Sequence, residues 1–527
     1  MSSNQLLASK IVVQEEAPSL RGIPTLDTAV LGVVGVTEKG PLAVATLVQS
    51  FTDFVKIFGS YISGSDLCAA VEGFFENGGS NLWVVRVVHY TSITDRTTKT
   101  STKATVTLDD RAGSPLATLR VDGKYDGTYA ASFSVKVSAP TSGETGYFNF
   151  EVLDASGLSL EIYPNVTMDD TDPRYIVDVV NDEDNGSSRI AVADLNSATA
   201  PPDNSPALAT SALTGGNDGL TSLADADYVG SSASSTGLRA LDLVDDLTLL
   251  AVPGIATSGV HNAMITYAEE TRGGQVFAVL DPPAAQSASQ IITYVTSTAA
   301  IGGLSEYGAI YWPRIKVLNP NASVFGKGAS ITVPPSGHIC GMFARNDSAK
   351  QFGVFTPPAG TEEGKLFGCI GFETDEVLKE EVRDLVFPKR INPITTMKGF
   401  ARYVDGARTL KGDGNFPTIG QRRGVSFTER SIKLGLQFAR HKNNTSDLRA
   451  VLQRTCYAFL KAETDAGCFS SKDPALAFFV DFGDALNPAT TPNVVTGRIG
   501  LATAQPAEYI VLKFSQDTRA IDSALKG

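Results

Sequence analysis

Five short runs in this chain are apolar almost throughout: AVLGVVGV (29–36), Leu82 to Val88, LTLLAVP (247–253), QVFAVL (275–280) and AIYWPRIKV (309–317). A strand that is apolar on both faces needs cover on both faces, and helical segments between the runs supply it. Phe51, Phe54, Val55 and Phe58 recur at helical spacing behind Ser50, the expected N-cap, with Asp53 three residues on. A second helix puts Leu67, Val71 and Phe74 inward and stops at Gly78 and Gly79. Further helices are expected from about His261 to Thr271 and from Pro282 and Pro283 onward, the latter with Ile291, Ile292 and Val295 toward the sheet. Crossovers between parallel strands are almost always right-handed. The pattern predicts one open, mostly parallel α/β sheet.

Between Tyr90 and Leu241 that pattern breaks off. A Thr-, Ser-, Gly- and Asp-rich segment takes its place, alternating in SFSVKVS (132–138) and FNFEVLD (148–154), and Asp154 to Gly157 joins FNFEVL to LSLEIY as a hairpin. We read residues 91–214 as an all-β domain, a small sandwich or barrel, inserted into an α/β core of 21–90 and 215–370. Pro201, Pro202 and Pro206 mark the way back. From 371 to 506 the character is α+β. A helix is expected from about Thr374 to Leu385, and another capped by Ser446 with Leu448, Leu452, Cys456 and Phe459 on one face. Strands follow at LAFFVDF (476–482) and GRIGLATA (497–504). Both chain ends read as thin arms. Residues 1–20 offer only Ile11, Val12 and Val13 as a strand, and 507–527 opens with AEYIVLKF, where Ile510, Leu512 and Phe514 share one side. Arms this thin cannot bury themselves, but they can add strands to an exposed sheet edge.

Charge is segregated along the chain. Lys389 to Lys442 holds twelve Lys or Arg against Asp405, Asp413 and Glu429, a local +9 in a protein of net charge -13. Such a reversal suits a basic surface aimed at something acidic, or a solvated face that supplies counter-charge. Ser426 followed by Glu429 has the form of a capping box, which predicts a helix starting just after Ser426. On that helix Arg430, Lys433, Gln437 and Arg440 would form one stripe between apolar flanks, with Arg422 and Arg423 entering before the cap and Lys442 after it. The acidic total argues against general nucleic-acid binding, and no aromatic residues interleave the basic ones to stack bases. The first residues carry no basic region followed by an apolar run, so no secretory signal is expected, and no apolar segment is long enough to span a bilayer. Cys68, Cys340, Cys369, Cys456 and Cys468 are odd in number, without any C-x-x-C pair, and read as reduced thiols in a protein made in a cytosol.

Catalytic motifs are missing. No G-x-G-x-x-G follows a strand, and the phosphate-loop, G-x-S-x-G and H-E-x-x-H patterns are absent. Ser258, His261 and Asp245 or Asp246 lie close in sequence, but proximity in sequence is not the mark of a triad, and no oxyanion-hole motif accompanies them. Asp281 before two prolines reads as a helix-start device. His338 lies near Cys340 without a second ligand cluster. Neither metal nor cofactor is expected, and the chain reads as a non-enzyme.

Taken together, GVTEKGPL (35–42), FFENGGSNLWVVRV (74–87), LTGGNDG (213–219), LAVPG (250–254), YWPRIKVLNP (311–320), VPPSGHICGMFARND (333–347), FTPPAG (355–360), INPI (391–394), GARTL (406–410), RRGVSFTERSIKLGLQFAR (422–440) and PAEYIVLKF (506–514) resemble the sheath proteins of contractile phage tails. Relatives of that family occur in R-type bacteriocins and other contractile injection systems. YDGTYAASFSVKV (125–137) resembles the family's β insert. The resemblance implies a subtilisin-like core without a working triad, and a protein that polymerises as stacked hexameric rings around an inner tail tube. The inserts would face outward and the C-terminal domain the tube, with Arg422, Arg423, Arg430, Lys433, Arg440 and Lys442 as a tube-facing surface. Strands would be exchanged between subunits through Ile11, Val12, Val13, Ile510, Leu512 and Phe514. Further implied partners are the tube, baseplate and terminator proteins, and the implied setting is a virion assembled in the host cytoplasm. A hydrolase of subtilisin-like fold, a nucleic-acid-binding module and the sheath of a non-phage device remain as alternatives.

Overall fold

The first apolar run is buried along its whole strand. Leu31–Gly35 lies between Leu82–Arg86 and Leu249–Ala251, parallel to both. The computed structural model describes residues 22–488 and 490–512. Phe277–Leu280, Gly308–Trp312 and Ile391–Thr395 continue the sheet in parallel, making six parallel strands. Thr46–Val48 and Tyr403–Val404 close its two edges in the antiparallel sense. The core would end at 370 by the sequence reading, yet Ile391–Thr395 and Tyr403–Val404 belong to this sheet. Asn392 fixes them there, donating from Nδ2 to the carbonyls of Ile310 (3.2 Å) and Arg408 (2.9 Å).

The helix Phe51–Phe58 starts as expected, with the Ser50 hydroxyl accepting from the Asp53 amide. Pro282 and Pro283 do not open a helix. Ser287 does, forming a capping box with Gln290 ahead of Ala288–Thr293, because it supplies the acceptor for an orphan N–H that proline lacks. The helix Ser336–Ala349 has a weak apolar pattern and no sequence prediction behind it, yet most of its residues are buried. Its cause is close approach to Leu67–Glu76. A Cβ at Gly337 would lie 2.0 Å from the Ala70 carbonyl oxygen and one at Gly341 2.3 Å from that of Phe74. Only glycine lets the two backbones meet.

Residues 102–217 hold two four-stranded antiparallel sheets. Ser134–Ser138, Tyr147–Leu153 and Ser159–Thr167 form most of one, Thr102–Asp109, Ala117–Gly123 and Ile190–Asp194 most of the other. They enclose a core of their own that includes Val121, Phe148, Phe150, Val152 and Ile190. Asp154 makes the expected hairpin, its Oδ1 accepting from the amides of Ser156 (2.8 Å) and Leu158 (2.9 Å).

Thr25–Arg430 forms one compact unit, and the described residues from Ser431 onward, with 22–24, a second. In the second, Leu452, Cys456 and Phe482 are the centre of a small core with Ile432, Leu436, Val480 and Ile499 against it. Its helix Ser446–Asp465 is capped by Thr445 rather than Ser446, the Thr445 hydroxyl accepting from Leu448 N at 3.2 Å. The strands are shorter than expected: Pro474–Ala477 turns into a helix, leaving Phe478–Asp481 to pair with Arg498–Leu501. The 374–385 helix is split, with a 3-10 turn at Asp375–Leu378 and an α-helix only from Glu380 to Val386.

The predicted start of the basic helix is also corrected. It runs from Ile419 to Gly435, so Ser426 lies in its interior. The Ser426 hydroxyl donates to the Gly274 carbonyl at 2.8 Å, and Glu429 takes Arg422 instead of capping. The helix ends at Gly435, and a separate 3-10 turn, Gln437–Ala439, precedes Arg440. The four-residue stripe from Arg430 to Arg440 therefore does not exist on one helix.

Candidate functional site

Sites in open α/β sheets form beyond the carboxyl ends of the strands. That place is occupied here by a polar cluster closed on itself. Asp281 follows the strand Phe277–Leu280. Its Oδ1 accepts from Ser336 N (2.9 Å), and its Oδ2 accepts from Ser336 Oγ (2.7 Å) and Gly254 N (3.2 Å). Arg314 donates to the carbonyls of Pro282 (3.1 Å) and Gly254 (3.2 Å) and pairs with Asp66 (3.3 Å). Burial pushes the Asp281 carboxyl up to about 6, while the Ser336 hydroxyl and the Arg314 charge pull it back down.

The candidate triad is not assembled. Asp245 and Asp246 are exposed ahead of the strand Leu249–Ala251, whereas Ser258 and His261 follow it. The strand between them puts the two groups at its opposite ends. Ser258 is exposed in the first turn of its helix, and Asp246 accepts from the Trp83 indole at 3.2 Å. His261 is buried and shares a 2.8 Å hydrogen bond with the Tyr294 hydroxyl; burial lowers its pKa to about 3, so the ring is neutral. Among the described residues no group of three or more His, Cys, Asp or Glu side chains is placed to hold a metal ion.

The basic candidates fall into two sets. Arg422 is buried, pairs with Glu306 (3.1 Å) and Glu429 (3.3 Å), and lies over the rings of Tyr307 and Phe416. Arg423 and Asp347, each only 4% exposed in the side chain, form a two-pronged pair at 3.1 and 2.5 Å; Arg423 also covers Phe343 and reaches the Thr28 carbonyl. Arg430 is buried too, with one long donation of 3.4 Å to the Asp246 carbonyl, and burial lowers its pKa. These three face inward in this chain. Lys433, Arg440 and Lys442 are exposed, with Lys442 over the Phe438 ring. The true helix start carried a readable signal: Thr418 and Gln421 have capping-box spacing, and the Thr418 hydroxyl donates to Gln421 Oε1 at 2.9 Å.

Of the strand-exchange residues, Ile11, Val12, Val13 and Phe514 lie outside the described residues. Ile510 and Leu512 are described and belong to no strand. Tyr509, Ile510, Val511 and Leu512 are 75%, 81%, 77% and 71% exposed, four large apolar side chains in succession facing water.

Residues 230–410 match the family model for the central domain of phage tail sheath proteins. No curated protein matches the sequence. Solved structures do. The sheath of an extracellular contractile injection system, PVC, in its contracted state is 17% identical, with 98% of this chain and 99% of that one covered and a TM-score of 0.56. The helical sheath of the anti-feeding prophage, also contracted, is 19% identical, with 96% and 99% covered and a TM-score of 0.56. A sheath tail protein from Desulfitobacterium hafniense is 12% identical, with 90% and 93% covered and a TM-score of 0.56. These proteins share the multi-domain α/β fold described above. Residues 230–410 thus match a phage tail sheath central domain, and nearly the whole chain has the fold of the solved contractile sheath proteins.

Proposed function

We propose that this protein polymerises into stacked hexameric rings around an inner tube and contracts to drive that tube through a bacterial envelope. In this reading it is the sheath of a phage tail, assembled in the host cytoplasm and carried in the virion for genome delivery. A non-phage injection device is the second reading, favoured by the similarity to the sheaths of PVC and the anti-feeding prophage. Its core would be a subtilisin-like domain without a triad. The baseplate, tube and terminator proteins would be its partners.

The observation that carries this reading is the run Tyr509–Leu512. Exposing four consecutive large apolar side chains costs hydrophobic free energy that a neighbouring chain can recover, and an extended segment recovers it best by strand addition. The same chain holds a two-stranded sheet, Phe478–Asp481 with Arg498–Leu501, whose Phe479 is half exposed. A sheet of two strands is marginal by itself and gains from added strands. The arm at Ile11 to Val13 would be donated in the same way. The inserted β domain would face outward, and Lys433, Arg440 and Lys442 the tube.

Electron microscopy of the purified protein tests this. Full-length protein should form tubes, and a chain ending at Ala507 should stay folded and form none. Tubes of normal length from the shortened chain would remove strand donation from the mechanism.

A further inference from the structure

The inserted β domain and the central sheet have separate apolar cores, and the neck that joins them is polar. The chain leaves the sheet at Arg86 and His89 and returns at Asp218 and Asp227. Arg86 ends its strand and is 2% exposed. Its Nη1 donates to the Gly40 carbonyl on the sheet side (3.1 Å) and to the Asp126 carbonyl in the insert (3.0 Å). Its Nε and Nη2 have no hydrogen-bond partner among the described residues.

A ring of acids and donors surrounds this guanidinium. Asp126 and Asp218 both act on its charge, although burial remains the larger influence and lowers its pKa. The Asp126 carboxylate is held by Lys99 and by the Ser101 hydroxyl (2.7 Å). That of Asp218 is held by the Thr128 amide (2.7 Å) and hydroxyl (2.9 Å). Between them Gly127, at φ +130°, brings the insert against the sheet. A Cβ there would lie 2.8 Å from Asp218 Oδ1 and 3.2 Å from the Glu38 carbonyl oxygen. Around the returning chain His89 Nδ1 meets Asp227 Oδ2 at 2.9 Å, Asp227 Oδ1 accepts from the Tyr90 amide at 3.1 Å, and the His89 amide donates to Gly219 at 2.8 Å.

We propose that Arg86 is a latch that holds the insert at one fixed angle to the central sheet. Apolar burial is non-directional and would let the two cores shift against each other, whereas hydrogen bonds fix distance and angle. A single guanidinium donating to one carbonyl on each side fixes both at once. Its two unmet donors make Arg86 a costly element, so its place in the neck is one of geometry rather than net stability. Because each side keeps its own core, losing the latch frees the neck without melting either sheet. On the sheath reading of the preceding section, a latched insert would turn with the core as the subunit moves during contraction. The latch itself stands without that reading.

Hydrogen exchange on the full-length chain, held unassembled at low concentration, tests this directly. In Arg86→Met the amides of His89, Tyr90 and Thr128 should exchange faster by about tenfold or more, while Val33 and Val84 in the central sheet and Val135 and Val152 in the insert keep their protection. Asp218→Asn, which leaves Arg86 in place, should give the same pattern with a smaller gain at Thr128. Neck amides as protected as in the wild type would overturn the latch. So would loss of protection spread over both sheets, since Arg86 would then be an ordinary strut of one fold. Should Arg86→Met not fold, that result also counts against the latch, and unchanged Thr128 exchange in Asp218→Asn would settle the matter against it.

Discussion

Arg422 and Arg423 stand inside the basic stretch, Arg440 and Lys442 at its end, and the same charge meets opposite surroundings. The first pair is buried among aromatic rings with carboxylates supplied by Glu306 and Asp347. The second is exposed, with Lys442 over the ring of the partly buried Phe438. A count of Lys and Arg therefore measures two different things, a set of internal ties and a free basic surface. The +9 read from the sequence overstates what a partner can meet.

Replacing a buried partner gives the largest effect. Arg423→Ala leaves the Asp347 carboxylate buried without its guanidinium and opens a void beside Phe343. Removing one member of a buried pair costs about 3–5 kcal/mol. Urea unfolding should show this as a lower midpoint at unchanged slope. A loss below about 1 kcal/mol would place the pair with ordinary surface bridges and dissolve the comparison.

Asp281 sharpens the same contrast from the acid side. Its folded pKa, about 6, lies above the ordinary carboxyl value of 3.8, so the folded state favours the protonated form. The stability this contributes is full below about 3.8 and is lost as pH rises through about 6. The ordering of Asp281→Asn and wild type should therefore depend on pH, with wild type gaining on the variant between pH 7 and pH 4 by up to about 3 kcal/mol. His261 has the opposite sign. With a folded pKa near 3 against 6.5, its contribution is full above 6.5 and is lost as pH falls. It is present in both proteins and cancels in the comparison. A pH-independent gap between them would contradict the burial argument for Asp281.

Arg430 separates burial from pairing. It is as hidden as its neighbours but has a backbone carbonyl in place of a carboxylate. Arg430→Met should change stability by no more than about 1 kcal/mol in either direction, because no buried acid is left behind. A loss as large as that of Arg423→Ala would show that burial alone decides.

These cases also show where the sequence was readable. The central strands were legible because a strand buried on both faces leaves an unbroken apolar run, as in LTLLAVP and QVFAVL. The insert was legible through alternation and the Asp154 turn. The basic helix was misread because Ser426 and Glu429 imitate a capping box from inside a helix, while the true start at Thr418 and Gln421 has the same spacing. Helix Ser336–Ala349 depends on glycine-mediated approach to a distant helix, which its own composition does not reveal. Ile510 and Leu512 share one side of a strand-like run, yet pairing needs a partner, and among the described residues no strand pairs with Tyr509–Leu512.

The smallest effect on the fold belongs to the exposed end of the stretch. Lys433→Glu with Arg440→Glu removes no buried partner, since both side chains are exposed and, among the described residues, the Arg440 side chain donates only to Gln437, at 3.5 Å. Surface substitutions of this kind stay within about 0.5 kcal/mol, so the unfolding midpoint should not move. Assembly is where a difference should appear. If these residues face an acidic tube, four charge units are reversed at each subunit. Individual contacts worth roughly 0.2–1 kcal/mol, repeated around every ring, would weaken together at low salt and converge with wild type as salt screens them. Co-sedimentation of the variant with purified tubes across a salt series reads this out. Equal binding at low salt would leave Lys433 and Arg440 as solvated counter-charge on an acidic protein. The buried arginines would then remain internal ties and the exposed residues solvated charge, with neither set facing a tube.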